Sequence, residues 1–327
     1  MLKEERKRRL RIFCFIISAL VTSFSLNRYS VLRHTGTLML LAPFCVGLLA
    51  FFFQLFIDKG PLIVLYSKSY PYRKLKPYGW LSAFLIFEFV LVWGLYTKQI
   101  LLLGEDLFLV TILFIGVVVY YHIFVRMKVS LRFVFLAIIV PLIAAGTALG
   151  LGSYLNILQF VMPGKRIGDI VFFTSLYWIF LSIFFQVVCE EPAFRGYLMQ
   201  KLLYKGELFA IIISSACYCL WRVPFSLFIA SDMKEVIVLL CGNFITGILF
   251  ALIFVKSRNL LVAILCHGII SGLQMSFFAS SVNPGIMQYM KFLVPTAKTQ
   301  LLIIWFVCLL IGLIFLTFIP RKKLYIH

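Results

Sequence analysis

The chain has 327 residues, of which 63% are apolar and only 13% charged, and its mean hydropathy is +1.04. Water-soluble domains carry roughly 45–50% apolar and about 25% charged residues, so this composition excludes water as the main solvent. The formal net charge of +19 is spread over short segments between apolar runs, with no basic, aromatic-interleaved stripe on a soluble domain, which argues against a nucleic-acid partner.

The apolar runs are continuous rather than alternating. In lipid every backbone N–H and C=O must be satisfied internally, so runs of this kind predict an all-α, polytopic transmembrane helical bundle. Windows of about 20 residues, matched to a hydrocarbon layer of about 30 Å, place about ten spans near 11–27, 37–57, 79–97, 107–125, 133–154, 170–190, 207–229, 235–255, 259–280 and 299–319. The basic N-terminal segment Met1–Leu10 and the apolar run after it are expected to form a retained anchor rather than a cleaved signal peptide.

With the N-terminus placed in the cytoplasm, 22 of the 31 Lys and Arg fall in cytoplasmic segments, 8 fall outside, and Arg222 lies within a span. That asymmetry predicts both termini on the cytoplasmic side. The longest cytoplasmic loop, 58–78, mixes Pro61, Pro71 and Pro77 with basic residues and tyrosines, a composition suited to lipid headgroups. The eight cysteines sit mostly within spans and read as small apolar residues rather than a disulfide framework. Pro141 and Gly146 interrupt the fifth span, but no matching interruption in the other half of the chain supports a transporter-type repeat.

Charges inside hydrocarbon are costly and each requires a reason. They are Glu88, Glu190, Glu191, Arg222 and His267, with Arg195 and His122 near the cytoplasmic boundary. The densest cluster, Cys189-Glu190-Glu191-Pro192-Ala193-Phe194-Arg195-Gly196-Tyr197, is expected at the end of the sixth span. Glu191 and Arg195 are four residues apart and predicted to pair, leaving Glu190 to face a cavity, where a carboxylate suits a general acid or base working on water. The alternative reading is an interfacial charge cluster that terminates a span, just as a lone intramembrane His such as His267 is commonly a hydrogen-bonded packing residue.

The string Glu190-Glu191-Pro192-Ala193-Phe194-Arg195 resembles the EExxxR signature of the CPBP family, also called the Abi or type II CAAX prenyl protease-like family of intramembrane metalloproteases. Tyr218-Cys219-Leu220-Trp221-Arg222 aligns by spacing with that family's FxxxH motif, and His267-Gly268-Ile269-Ile270-Ser271 with its HxxxN motif. The resemblance covers roughly residues 170–280. It divides the chain into an N-terminal transmembrane region of about five spans (1–169), a CPBP/Abi-like core (170–280), and a last span with a basic tail (281–327).

The resemblance implies peptide-bond hydrolysis near the cytoplasmic membrane face. Glu190, Glu191, Arg195 and the residue at 222 occupy the catalytic motif positions, Glu190 and His267 would hold a zinc ion, and Ser271 stands at the third motif's Asn. Arg222 departs from the pattern: guanidinium has no lone pair to offer a cation. A buried Glu190–Arg222 ion pair is expected to occupy the space a metal and water would need. His122 is the remaining candidate for rebuilding a metal site, and Glu88 is a second potential partner for Arg222.

Two further functions stand beside the hydrolase. One is a pseudoprotease, a bundle retained as scaffold, regulator or bacteriocin self-immunity protein bound to another membrane protein; the other is a transporter. Membrane lipid and a membrane-associated peptide or protein are the expected partners. The composition, low in Ala and rich in Lys, Ile and Phe, points to a bacterial plasma membrane.

Overall fold

A computed structural model of the chain describes residues 2–33, 37–59, 130–160, 167–277, 290–294 and 296–320. In chain order its long helices are α1 (Leu2–Arg33), α2 (Thr37–Phe52), α3 (Leu131–Tyr154), α4 (Ile167–Leu181), α5 (Glu207–Ile229), α6 (Met233–Ser257), α7 (Leu260–Phe277) and α8 (Ala297–Phe318). A wide π-type turn, Phe53–Ile57, extends α2. After α4, helical conformation continues through two further π-type stretches, Ser182–Val187 and Pro192–Met199, to a last 3-10 turn at Leu203–Lys205.

Among the described residues seven helical segments are long and apolar enough to cross a membrane: Glu4–Leu26, Leu131–Tyr154, Phe172–Lys205, Glu207–Leu227, Met233–Ser257, Leu260–Phe277 and Ala297–Phe318. The expected second span appears as a shorter apolar helix, Ala42–Ile57. The spans expected at 79–97 and 107–125, with Glu88 and His122 on them, lie outside the described residues.

Two findings depart from the expectation. The sixth span does not end at 190: helical conformation continues to Lys205. Pro192, at the first position of its π-type stretch, is tolerated there because the wider i→i+5 turn relieves the demand for its missing N–H. The fold also contains a small strand pair. β1 (Leu158–Phe160) and β2 (Met290–Phe292) run antiparallel, with Leu158 opposite Phe292 and Phe160 opposite Met290.

The described residues fall into two compact units. The first takes those within 1–69, 189–264 and 309–327. Here α1 and α2 pack together, and α5 packs on α1 and α6. Phe15 of α1 is fully buried between Phe53 and Tyr197, with ring centroids 5.5 and 4.8 Å away. Gly47 allows α2 to approach residue 189, since a Cβ there would lie 2.8 Å from the Cys189 carbonyl oxygen.

Local sequence sets the helix ends in this unit. The Asp232 side chain accepts from the Glu235 N–H at 2.7 Å, and the Glu235 carboxylate accepts from the Ser231 N–H at 2.8 Å. These reciprocal bonds satisfy donors at the start of α6 that the helix itself leaves open. At its end Arg258 takes a left-handed conformation, φ 51°, and the Asn259 side chain caps α7 through the Leu261 N–H at 2.9 Å. Lys256, near the end of α6, donates to the Thr317 carbonyl at 2.8 Å and also to that of Ile319. A cation is favourable there because the last carbonyls of α8 carry its negative dipole end.

The second unit takes the described residues within 70–188 and 265–308. Ile157, Leu158, Ala297 and Leu301 form a small core beside the strand pair. The C-terminal part of α7 packs closely on the chain before residue 189. A Cβ on Gly268 would sit 2.1 Å from Ile183 Cγ1, and one on Gly272 would sit 2.4 Å from Ile179 Cα. Small residues four apart let two helices meet backbone to backbone, the packing that stabilises helix pairs where no hydrophobic effect separates protein from solvent. The Ser175 and Ser276 hydroxyls, 3.1 Å apart, share a buried hydrogen bond in the same unit.

Candidate functional site

The helical stretch after α4 carries the cluster singled out in the sequence, with Glu190 and Glu191 on a short α-helical turn (Val188–Glu191) and Arg195 on the π-type stretch that follows. Glu190, Glu191 and Arg195 are fully buried, and Arg222 is 7% exposed. Four charged side chains held out of solvent require pairing, because an isolated buried charge is strongly unfavourable. The pairing divides them in two.

Glu191 accepts from Arg195 Nη1 at 2.8 Å, the i,i+4 pair expected from sequence. Arg195 also donates through Nη2 to the Gly247 carbonyl at 3.1 Å, and its guanidinium lies over the rings of Tyr218 and Phe250, 4.6 and 5.3 Å from the centroids. Gly247 can present that carbonyl because α5 and α6 approach closely there: a Cβ on it would lie 3.1 Å from Ser215 Cβ.

The other pair is Glu190 with Arg222, 3.7 Å between carboxylate and Nη1. That separation is an ion pair but longer than a hydrogen bond. Arg222 Nε donates to the Tyr218 hydroxyl at 3.2 Å, one helical turn earlier on α5. Glu190 is fully buried and faces Arg222, the ion pair expected to take the place of a cavity.

Tyr218 is the hub between the pairs. Its ring takes Arg195 on its face, its hydroxyl takes Arg222, and Phe194 packs edge-on at 5.4 Å. A Phe at this position would supply the ring and not the hydroxyl, so the Tyr218 hydroxyl matches the neighbouring arginine. Tyr218 was visible in sequence as a replacement of the motif's Phe, but its role was not. Nor was that of Gly247, because a backbone carbonyl 52 residues from Arg195 leaves no signal in side-chain identity.

His267 is 1% exposed and Ser271 5% exposed. They stand four residues apart on α7, within the second unit, whereas Glu190, Glu191, Arg195 and Arg222 belong to the first. Among the described residues no three of His, Cys, Asp and Glu converge as ligands for a metal ion. The donor set at the first and second motifs does not fit zinc: the position aligned with the family's His holds a guanidinium, and its charge is directed at the carboxylate that would otherwise be a ligand.

A second charged cluster, absent from the sequence reading, lies at the polar end of α1. Asp58 accepts from Arg11 at 2.8 Å and forms an ion pair with Lys201 at 2.9 Å. Burial pushes its carboxyl group up, but the neighbouring Lys201, Tyr197 and Arg11 outweigh this and hold it below the ordinary value for aspartate. The three partners come from positions 11, 197 and 201, so only the folded chain assembles them.

Residues 172–273, just under a third of the chain, match the family model described as type II CAAX prenyl endopeptidase Rce1-like. No curated protein and no solved structure matches the chain. The matched segment contains all three motifs and both buried ion pairs. It supports the family that those motifs resemble, and with it a CAAX-protease-like membrane protein built from apolar helices.

Proposed function

We propose that this CAAX-protease-like protein is a pseudoprotease: a multi-pass membrane protein that binds and regulates another membrane protein and does not hydrolyse peptide bonds. One observation carries the reading, the Glu190–Arg222 pair at 3.7 Å. Hydrolysis by this family's chemistry needs a carboxylate available to water and a Lewis acid beside it. Here a permanently charged guanidinium takes that carboxylate's charge and stands where a ligand would be. The charges that remain act as packing elements, because paired polar groups in lipid fix how helices dock.

The same reading places about ten spans in a bacterial plasma membrane, with both termini cytoplasmic, and gives the protein a membrane-associated peptide or protein as partner. A bacteriocin self-immunity protein is one form this would take. The competing reading, an active zinc-dependent endopeptidase, draws on the retained Glu190, Glu191, Arg195 and His267. In it Glu190 and His267 would hold the metal.

The deciding experiment is bound metal per chain, by elemental mass spectrometry, in the detergent-purified protein and in Arg222→His and His267→Ala. The expected result is no stoichiometric zinc in the native protein and about one per chain in Arg222→His. About one zinc in the native protein, lost in His267→Ala, would overturn the proposal and restore the peptidase.

A further inference from the structure

The polar end of the first unit contains two adjoining cavities that share Arg8 and Lys201. One, about 130 Å³, is lined by Glu4, Arg8, Arg11, Ile12, Asp58, Tyr197 and Lys201; Asp58 with its two cations fills its chemistry. The other, about 390 Å³, is lined by Arg8, Gln200, Lys201, Leu203 and Tyr204. Its lining has two permanent cations, an amide, a phenol and one apolar wall, and no carboxylate. Arg8 lies 4.7 Å from the centroid of the Tyr204 ring, which holds the guanidinium at the rim. Glu5 is engaged by Arg9, and Asp58, held by Arg11 and Lys201, lines the adjoining cavity rather than this one.

The depth of this pocket can be read from the surface around it. On α1 the side chains of Glu4, Lys7 and Arg9 are 75%, 52% and 61% exposed. One turn further, Leu10, Phe13 and Ile17 are 61%, 61% and 44% exposed, and Leu208 on α5 is 71% exposed. Large apolar side chains exposed in this number face lipid tails, so the pocket lies where charge gives way to hydrocarbon, at the level of phospholipid headgroups.

We propose that the pocket lined by Arg8, Gln200, Lys201, Leu203 and Tyr204 binds a phosphate anion, presented by the headgroup of an anionic phospholipid. Arg8 supplies the charge-assisted bond to phosphate oxygens, and Lys201, which also pairs with Asp58 at 2.9 Å, shares its remaining N–H donors and charge with the anion. Gln200 adds a polar side chain and Leu203 an apolar one to the lining. The inference concerns the first unit alone and stands whether or not the protein is a protease.

The test uses the full chain in non-ionic detergent, titrated with short-chain phosphatidylglycerol, with phosphatidylcholine and with inorganic phosphate, and read by calorimetry. Phosphatidylglycerol is expected to saturate one site per chain. Arg8→Gln is expected to weaken it roughly tenfold, Arg8→Lys less, and Lys7→Gln, which removes the same charge from the same exposed helix, less than about threefold. Equal losses in Arg8→Gln and Lys7→Gln would reduce the effect to diffuse attraction and overturn the site, as would binding that never saturates. Inorganic phosphate binding as tightly as the lipid would keep the anion pocket but overturn the headgroup as its source.

Discussion

Replacing Arg222 by Met removes one partner of the Glu190 ion pair while keeping an unbranched side chain of similar reach. At 3.7 Å and an effective dielectric of about 20, the attraction lost is about 4.5 kcal/mol. Desolvation of both groups already offsets much of that in the native protein. The larger consequence is that Glu190, fully buried, loses the Arg222 cation that faces it, and removing one partner of a buried pair typically costs about 3–5 kcal/mol. The hydrogen bond from Arg222 to the Tyr218 hydroxyl is also lost, adding roughly 1 kcal/mol. Glu190→Gln/Arg222→Met removes both charges and is expected to recover most of the loss, because well-packed neutral side chains substitute for a buried pair at little net cost. The assay is a double-mutant cycle on equilibrium unfolding in mixed micelles, with an expected coupling of about 2 kcal/mol or more. Single and double variants that add without coupling would refute the claim that these two charges hold one another.

Asp58 gives a pH signature. Its carboxyl is held below the ordinary aspartate value, so its contribution to stability is complete above about pH 4, near the unfolded value, and is lost as pH falls through the lower folded value. Thermal unfolding of the native protein is expected to show this acid-side loss, and Asp58→Asn to be less stable at neutral pH and to lack that component. Gly272→Ala places a Cβ 2.4 Å from Ile179 Cα and is expected to cost about 1–3 kcal/mol by forcing the helices apart. Gly146→Ala, whose Cβ meets nothing within 4 Å, is expected to gain about 0.5–1 kcal/mol from reduced backbone freedom; parallel melting curves of the two variants check both signs.

Continuous apolar runs determined the helical, membrane-embedded character, because lipid leaves the backbone no partner but itself. The Glu191–Arg195 pair was also legible, since four residues on one helical strip bring the groups together. The motif order Glu190-Glu191…Arg195, Tyr218…Arg222, His267…Ser271 carried the family resemblance, and the match over residues 172–273 supports it. Sequence even suggested that Arg222 would find Glu190, on the ground that a buried cation needs a buried anion.

Tertiary structure decided what periodicity cannot encode. The helix beyond residue 190 continues through wide turns, because neighbouring α2 and α5 bury it along its length. Arg195 is anchored by the carbonyl of Gly247, where the absence of a side chain is what matters. Asp58 collects Arg11, Tyr197 and Lys201 from distant parts of the chain, and Arg8 joins Lys201 around a carboxylate-free pocket. Hydropathy and motif spacing report each residue's own medium and its near neighbours in sequence. Which charge meets which across helices depends on how close the backbones come, and Gly47 and Gly247 set that distance only in the folded protein.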